Sequence, residues 1–347
     1  MIADQGYIIV FRFSAMGDVA MTIPVIRLLL DEYPNQKLVM VTRKSFRPMF
    51  KGIDRVEFFE ANLQENHKGL LGLIRLYRAL HARYPQSKIA DLHQVLRTKI
   101  LSVLFKLGGH SVAKIIKGRA QKKQITRKEN KIIKSIPNSF DRYTSVFASL
   151  GFPFQLKSGL GLLKKETPVS FRLDELPFRV TIGVAPFAKH PEKMYPKEKM
   201  FELLNQLKSL PINVLLFGGG KTEEQILQSW TNESNNLFNL AGKYTLEEEL
   251  HIISQLDLMV SMDSANMHLA SLYGIPVISI WGPTHPATGF YGWGQDVNNM
   301  ISLDLTCRPC SVYGNKTCWR GDHACMQGIS PDMIYLKIRE MLSMKLG

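Results

Sequence analysis

Short apolar runs alternate with longer amphipathic segments along most of this chain, which is the pattern of parallel α/β proteins. Each apolar run has the length of a buried strand, and the segments between the runs have apolar positions spaced for one face of a helix. A last helix is predicted from Pro331 onwards. The strands are predicted near residues 7–13, 37–42, 56–59, 88–91, 180–184, 213–217, 256–260 and 277–281.

The length of the chain and a break in this pattern predict two domains. At 347 residues the chain exceeds the size at which a single hydrophobic core usually stops growing. Charge and proline interrupt the apolar pattern at residues 164–168, so we place a linker there, between domains at 1–165 and 170–330. The apolar run at residues 7–11 has no basic stretch before it and is too short to span a bilayer. We therefore expect a cytoplasmic protein.

The segment Asp263–His268 lies where the strand near 256–260 gives way to a helix predicted to end at Gly274 and Pro276. The first-turn N–H groups of such a helix have no partner within the helix, and the helix dipole favours negative charge there. The segment therefore predicts a phosphate site at this edge of the sheet. An ordinary helix N-cap by Asp263 or Ser264 fits the segment alone equally well.

A second polar group follows the first predicted strand. Residues 14–17 form a small-residue turn, and Asp18 opens the next helix. The turn lacks the three-glycine fingerprint of dinucleotide-binding proteins, so a nicotinamide or flavin cofactor is not indicated. Asp18 either favours the helix N-terminus electrostatically or serves as a general base, with Gly17 leaving room for a substrate.

Further short motifs place polar residues or glycines beside the apolar runs. In chain order, the motifs are Phe13–Asp18, Lys193–Pro196, Phe217–Gly220 with Glu223 and Glu224, Leu240–Lys243, Asp263–His268 and Trp281–Thr284. The ordered set resembles glycosyltransferase family 9, the heptosyltransferases of lipopolysaccharide core assembly. The resemblance implies an α/β GT-B fold, in which two doubly wound Rossmann-like domains face each other across a cleft. It assigns the acceptor to the N-terminal domain and the nucleotide sugar to the C-terminal domain, with a C-terminal helix at 331–347 packing back on the first domain.

The resemblance also implies an activity, namely inverting transfer of a sugar from ADP-heptose to a lipid A-linked core acceptor. No catalytic metal and no other cofactor is implied. Asp18 is then the general base, and Lys193 is the cation beside the departing diphosphate. Lys189 is an alternative to Lys193, because Lys189–Pro191 also resembles part of that motif.

The implied donor site lies in the second half of the chain. Asp263 matches the family residue that binds sugar hydroxyls, and the backbone N–H groups of Ser264 and Ala265 would face the diphosphate. His268 would steady this loop or touch phosphate, and a hydrogen-bonded helix histidine is the alternative. The other implied donor contacts are Glu223 or Glu224 to the ribose, and Ala241, Gly242, Lys243 and Tyr244 around the base.

The formal net charge is +14, and much of it lies in a basic stretch at residues 106–134. An anionic partner is the first hypothesis, and a solvated surface is the alternative. Nucleic acid is disfavoured, because no nucleic-acid-binding motif accompanies the charge and no aromatic residue lies between Lys106 and Ser139. Anionic lipid headgroups or the phosphates of a lipid A core suit the stretch better. The candidate acceptor contacts are Ser14, Met16, Gly17, Arg43, His93, Arg97, Lys117, Arg119 and Lys122.

All four cysteines lie within one window, at Cys307, Cys310, Cys318 and Cys325. In a cytosolic protein this clustering favours a metal or reduced thiols over disulfides. One Cys-x-x-Cys pair with two further cysteines is a fair zinc pattern, but the second pair of a typical zinc knuckle is missing. The cysteines are therefore a candidate structural zinc site with no part in the chemistry.

Three classes of function compete. The favoured one is a sugar transferase, and the others are a GT-B relative that binds nucleotide sugar or glycolipid without turnover and a nucleic-acid-binding α/β protein. The presence of both Asp18 and Lys193 favours the enzyme. We expect a monomer that contacts a nucleotide sugar, an anionic glycolipid and the inner face of the cytoplasmic membrane, and that binds no nucleic acid.

Overall fold

The computed structural model describes residues 6–165, 171–232 and 234–346. The chain divides into two compact units. The first unit comprises residues 1–117 and 137–162, and the second comprises residues 118–136 and 163–347. Each unit has its own parallel β-sheet and its own hydrophobic core.

A parallel five-stranded sheet forms the centre of the first unit. Its strands are β1 Ile8–Phe11, β2 Leu38–Thr42, β3 Val56–Glu60, β4 Lys88–Asp91 and β5 Val112–Lys114. The strand order is β3-β2-β1-β4-β5, and β1 and β2 are buried along their whole length, as expected for a sheet covered by helices on both faces. The helices are α1 Met16–Ala20, α2 Thr22–Glu32, α3 Gly69–Arg83, α4 Leu96–Leu107 and α6 Ser139–Ser149.

The helix predicted to open at Asp18 is divided in two. It begins at Met16, is interrupted at Met21 and continues from Thr22. The Thr22 hydroxyl donates a hydrogen bond to the Val19 carbonyl at 2.7 Å, so the carbonyl is satisfied locally. Asp18 therefore lies inside a short first helix, directly after the turn that follows β1.

A parallel six-stranded sheet forms the centre of the second unit. Its strands are β6 Val180–Ala185, β7 Ile212–Leu216, β8 Leu237–Asn239, β9 Leu258–Met262, β10 Val277–Ile280 and β11 Met300–Ile301, in the order β11-β10-β9-β6-β7-β8. The helices are α5 Arg119–Ile125, α7 Lys197–Leu207, α8 Lys221–Thr231, α9 Leu246–Ser254, α10 Ala265–Leu272, α11 Ala324–Gln327 and α12 Pro331–Leu346. All eight predicted strands are present, each within two residues of its predicted ends.

The C-terminal half of the basic stretch, from residue 118 onwards, belongs to the second unit, although the sequence placed it with the first domain. The Lys122 ammonium lies 4.0 Å from the centre of the Phe290 ring, and the Lys128 ammonium lies 5.2 Å from that of Trp319. Lys131 Nζ donates to the Thr306 carbonyl at 3.0 Å. These contacts attach residues 118–136 to the second unit, and cation–π contacts of this kind leave no local signal in the sequence.

The C-terminal helix α12 belongs to the second unit, whereas the sequence predicted that it packs on the first domain. It packs against α7, and its residues Ile334, Ile338 and Leu342 are buried in the core of the second unit. An amphipathic helix reveals which face it buries but not which sheet receives that face. The predicted linker at 164–168 falls partly outside the described residues, because 166–168 are not among them.

Among the described residues, no helix has both the length and the apolar character needed to cross a lipid bilayer.

Candidate functional site

Each sheet has a point where the strand order reverses, and the candidate residues gather there. In the first unit the chain leaves β1 towards β2 on one side and returns to β4 on the other. In the second unit the same reversal separates β6 from β9. Loops after the carboxyl ends of such strand pairs diverge and form the usual ligand crevice of doubly wound sheets. The predicted residues Asp18 and His93 follow β1 and β4, while Lys193 and Asp263 follow β6 and β9.

The carboxylate of Asp18 is held by two donors from its own unit. Its Oδ2 lies 2.7 Å from Arg12 Nη2 and accepts a hydrogen bond from the Ala15 N–H at 3.1 Å. Arg12 is fixed in turn, because its Nη1 donates to the Leu92 carbonyl at 2.6 Å. The Tyr143 hydroxyl donates to the backbone carbonyl of Asp18 at 3.3 Å. The carboxylate is thus anchored at the β1–β4 reversal while a quarter of its side chain, 25%, stays exposed.

His93 is a neutral imidazole beside this carboxylate. Burial lowers its pKa to about 3, and the positive charges of Arg12, Lys117 and Arg43 act in the same direction, while Asp18 opposes them. The Phe13 N–H donates to His93 Nδ1 at 3.4 Å. In a neutral ring this bond places the proton on Nε2, so His93 can donate a hydrogen bond from Nε2 but carries no positive charge.

The structure brings together only part of the predicted acceptor set. Ser14, Met16 and Gly17 form the turn that carries Asp18, and Arg43 and Lys117 act electrostatically on His93 from the same unit. Arg97 is exposed in the first turn of α4. The remaining two residues, Arg119 and Lys122, belong to the second unit.

The environment of Lys122 differs most from what the sequence predicted, which was an exposed acceptor contact. Its side chain is buried against the Phe290 and Tyr313 rings, with the ammonium 4.0 Å and 5.8 Å from the ring centres. An ammonium held in this way stabilises the fold of the second unit. Lys122 is therefore not on the exposed surface that could contact an anionic acceptor.

Lys193 and Asp263 form an ion pair at the reversal point of the second sheet, with Nζ 2.8 Å from Oδ2. The Thr284 hydroxyl donates to the same oxygen at 2.8 Å. A Cβ atom at Gly314 would collide with Cγ and Cδ of Lys193, so the backbone there lies directly against the lysine stem. Lys189, the alternative cation, is exposed in the loop that follows β6.

Within the part of the chain that the structure describes, no side chain caps the N-terminus of α10 by a hydrogen bond. Ser264 occupies the N-cap position, but its hydroxyl lies 3.0 Å from the Ser261 hydroxyl and caps no first-turn N–H. Asp263 is engaged with Lys193 and does not cap the helix either. The first-turn N–H groups of α10 therefore remain available to an anion beside the ammonium of Lys193. His268 is buried within the same helix.

The two glutamates of α8 have different surroundings. Glu223 Oε2 accepts a hydrogen bond from the Gly219 N–H at 2.8 Å and so closes the glycine turn after β7. Glu224 Oε2 lies 3.1 Å from the position that a Cβ atom would take at Gly242, whose φ of +72° favours glycine. Glu224 therefore faces the loop after β8, where Ala241, Gly242, Lys243 and Tyr244 were predicted to surround the base.

If Glu224 is the predicted ribose contact, Glu224→Gln should weaken binding of the nucleotide-sugar donor by about tenfold, since a hydrogen bond to a charged group contributes about 1.5–3 kcal/mol. Glu223→Gln is the matched control. It should lower the free energy of unfolding by about 1 kcal/mol while leaving donor affinity within about twofold. Calorimetric titration with the donor and chemical denaturation measure the two effects. The opposite pattern would identify Glu223 as the ribose ligand.

The four cysteines are free and lie in the second unit. Burial raises the pKa of Cys325 to about 11; the nearby Arg308 lowers it, and the other three thiols raise it further. Among the described residues, however, no three His, Cys, Asp or Glu side chains are grouped as a metal site requires. The predicted structural zinc site is therefore not confirmed and stays a prediction.

The cysteine segment nevertheless contacts the loops that carry residues of the predicted donor site. Glu192, which directly precedes Lys193 in the chain, is held by two contacts from this segment. Its Oε2 accepts a hydrogen bond from the Cys318 N–H at 3.2 Å and lies 2.8 Å from His323 Nε2. The buried guanidinium of Arg308 donates to the carbonyls of Gly282 and Thr284. The segment thus holds two loops in place, namely the loop that carries Lys193 and the loop that carries Thr284, which donates to Asp263.

Several of these supporting residues were missed by the sequence analysis. Arg12 ends a run of buried strand residues, and a charge in that position is a usable signal of a paired functional group. Thr284 belongs to the Trp281–Thr284 motif, but no signal in the sequence indicates that its hydroxyl contacts Asp263. Tyr143 and Glu192 have no local signal, because their contacts join residues more than a hundred positions apart.

This chain is similar to known proteins in both sequence and fold. A model of glycosyltransferase family 9 (heptosyltransferase) matches residues 90–319. Lipooligosaccharide heptosyltransferase 2 of Campylobacter jejuni is 24% identical over 336 residues, which are 94% of this chain and 96% of that protein. A family 9 glycosyltransferase structure from Veillonella parvula has a TM-score of 0.77 at 18% identity, covering 99% of each chain. The ADP-heptose lipopolysaccharide heptosyltransferase II of Escherichia coli has a TM-score of 0.68 at 18% identity, covering 99% of this chain and 100% of that one.

Two doubly wound α/β units, each with polar residues where the strand order reverses, give this protein the GT-B fold of these structures. The family model spans more than half of the sequence, and the chain belongs to glycosyltransferase family 9, the heptosyltransferase family. The predicted family, fold class and sugar-transferase function are therefore confirmed. The alternative of a GT-B relative without turnover is not favoured.

Proposed function

We propose that the protein transfers heptose from ADP-heptose to a lipid A-linked lipopolysaccharide core acceptor, with inversion at the anomeric carbon. The observation that carries the proposal is the Lys193–Asp263 pair, 2.8 Å long, beside the uncapped first turn of α10. An ammonium and helix N–H groups at one point suit the diphosphate of a nucleotide sugar. The Campylobacter relative is a lipooligosaccharide heptosyltransferase and the Escherichia relative an ADP-heptose lipopolysaccharide heptosyltransferase, which supports the choice of heptose and of the core acceptor.

In the proposed reaction the second unit binds the donor. Lys193 and the N–H groups of Ser264 and Ala265 take up the negative charge that develops on the departing ADP. Asp263, whose Oδ2 is already held by Lys193 and Thr284, binds hydroxyls of the sugar. Glu224 binds the ribose, and the loop from Ala241 to Tyr244 surrounds the base.

The first unit supplies the base and binds the acceptor. An acceptor hydroxyl attacks the anomeric carbon as the bond to the diphosphate breaks, and Asp18 takes the hydroxyl proton. Arg12, 2.7 Å from the carboxylate, orients it and favours its ionised form before the reaction. His93, neutral because burial lowers its pKa to about 3, can donate from Nε2 to an acceptor oxygen without competing for the proton.

We expect EDTA to leave initial transfer rates unchanged, because Lys193 and the α10 N-terminus can stabilise the diphosphate without magnesium. Initial rates with and without EDTA measure this. A prompt loss of activity that magnesium restores would contradict it. Slow inactivation with release of zinc and a lower melting temperature would instead indicate that the four cysteines hold a structural metal.

The acceptor also determines where the enzyme works. A lipid A-linked acceptor is anchored in a membrane, so we propose that the protein acts as a monomer in peripheral contact with the inner face of the cytoplasmic membrane. The net charge of +14 supports contact with an anionic surface.

Incubation with ADP-heptose and a truncated lipid A core acceptor separates the competing functions. A heptosylated product supports the proposal. Saturable donor binding without product would indicate a binding protein. Steeply salt-dependent binding to oligonucleotides, without donor binding, would revive a nucleic-acid function.

A further inference from the structure

Helix α4 of the first unit has a second apolar face that points away from the core. Leu96, Val103 and Leu107 are 74%, 54% and 81% exposed. Their spacing of seven and four residues places them on one side of an α-helix, with Ile100 between them. The opposite side, formed by Thr98, Leu101, Ser102 and Phe105, is buried in the unit. A helix that has already buried one face has no folding reason for a second apolar face.

Helix α3 packs against α4 and extends this surface. Leu70 and Leu71, in the first turn of α3, are 60% and 71% exposed. Each helix follows a strand of the parallel sheet and leads to the next strand, so both begin at its carboxyl edge. Leu70, Leu71 and Leu96 therefore lie at the edge of the sheet that also carries Asp18.

The segment that forms this surface is strongly basic, although Arg83 at the end of α3 is paired with Glu57 of β3. Between Glu65 and Gly118 the sequence has ten lysines and arginines, and its single acidic residue, Asp91, is fully buried. Along α4, Lys99 and Lys106 flank the apolar face on one side and Arg97 flanks it on the other. An exposed apolar centre with a cationic border is the composition of helices that lie in the surface of anionic membranes.

We propose that the exposed faces of α3 and α4 are the membrane-docking surface of this protein, with an anionic phospholipid bilayer as the partner. Leu70, Leu71, Leu96, Val103 and Leu107 enter the boundary between headgroups and acyl chains, and the flanking cations bind lipid phosphates. This inference rests on the proposed function, because a lipid-linked acceptor is the reason why the protein has to dock on a membrane.

Docking through this surface has a consequence for catalysis. It brings the carboxyl edge of the first sheet, with Asp18 and His93, towards the leaflet in which a lipid-linked acceptor is anchored. Insertion of apolar side chains also distinguishes the surface from a purely electrostatic contact, because the apolar part of the binding free energy is retained when salt screens the charges.

The test compares two variants, each of which changes exposed apolar residues of one helix. The first carries Leu96→Gln, Val103→Gln and Leu107→Gln. The control carries Leu336→Gln and Met344→Gln on α12 of the second unit, where the exposed fractions are 61% and 94%. Sedimentation with phosphatidylglycerol–phosphatidylethanolamine vesicles should show at least about tenfold weaker binding for the first variant and parental binding for the control. Phosphatidylcholine vesicles should bind every protein weakly.

Two further measurements keep docking and catalysis apart. Transfer to a deacylated, water-soluble acceptor should be unchanged in the α4 variant, while transfer to vesicle-bound acceptor should fall with vesicle binding. A tryptophan introduced by Val103→Trp should shift its emission to the blue on vesicle addition and be quenched by brominated lipid. If the parent transferred no heptose to either acceptor, the proposed function would fail while the vesicle result could still stand.

The proposal is overturned if the α4 variant binds anionic vesicles as the parent does. It is equally overturned if light scattering shows a parental dimer that the variant converts to monomers, since a second copy would then cover the surface. Loss of oligonucleotide binding with unchanged vesicle binding would assign the surface to nucleic acid instead.

Discussion

Replacing Asp18 by asparagine is expected to lower turnover by about 10² or more, because asparagine keeps the shape of the side chain but cannot take the acceptor proton. Donor affinity should change little, since the proposed donor contacts lie in the second unit. Steady-state kinetics and calorimetric titration with ADP-heptose measure the two quantities.

Asp31→Asn is the matched control for this experiment, because Asp31 is an exposed carboxylate on α2 of the same unit. The asparagine at position 18 also leaves Arg12 without the anion that lies 2.7 Å away, so the melting temperature has to be measured as well. Near-normal turnover in a folded Asp18→Asn protein would exclude Asp18 as the base.

Removing the ammonium of Lys193 is expected to have the second large effect. Lys193→Ala should weaken ADP binding and slow transfer by about tenfold to a hundredfold, since a charge-assisted contact contributes about 1.5–3 kcal/mol. The variant also leaves Asp263 without its ion-pair partner, so a loss of stability should accompany the loss of binding.

Lys189→Ala serves as the comparison, because Lys189 lies in the same loop but is exposed. It should leave ADP affinity and stability close to those of the parent. If Lys189→Ala weakened ADP binding and Lys193→Ala did not, the leaving-group cation would have to be reassigned to Lys189. The Lys193–Asp263 pair would then have a purely structural role.

Residues whose environment is local were predictable from the sequence. The eight predicted strands follow from continuous apolar runs, and the positions of Asp18 after β1 and Asp263 after β9 follow from polar residues placed directly behind such runs. The strands β5, β8 and β11 were missed because they have only three, three and two residues, too few for a hydrophobic period to emerge.

Residues whose environment depends on distant parts of the chain were not predictable. Lys122 looks like one more cation of a basic stretch, and only the Phe290 ring, 4.0 Å from its ammonium, reveals that it is buried. Likewise, the two lysines Lys189 and Lys193 look alike in the sequence, and only Asp263 shows that Lys193 forms an ion pair. In each case the deciding partner lies more than fifty residues away, where neither periodicity nor a motif reports it.

The most direct test of the proposed function is a transfer reaction with purified protein, ADP-heptose and truncated lipid A core, analysed by mass spectrometry and by NMR of the new linkage. We predict a product heavier by one heptose, with the anomeric configuration inverted relative to the donor, and no such product with Asp18→Asn. Binding of ADP-heptose without product, or a product with retained configuration, would contradict the account.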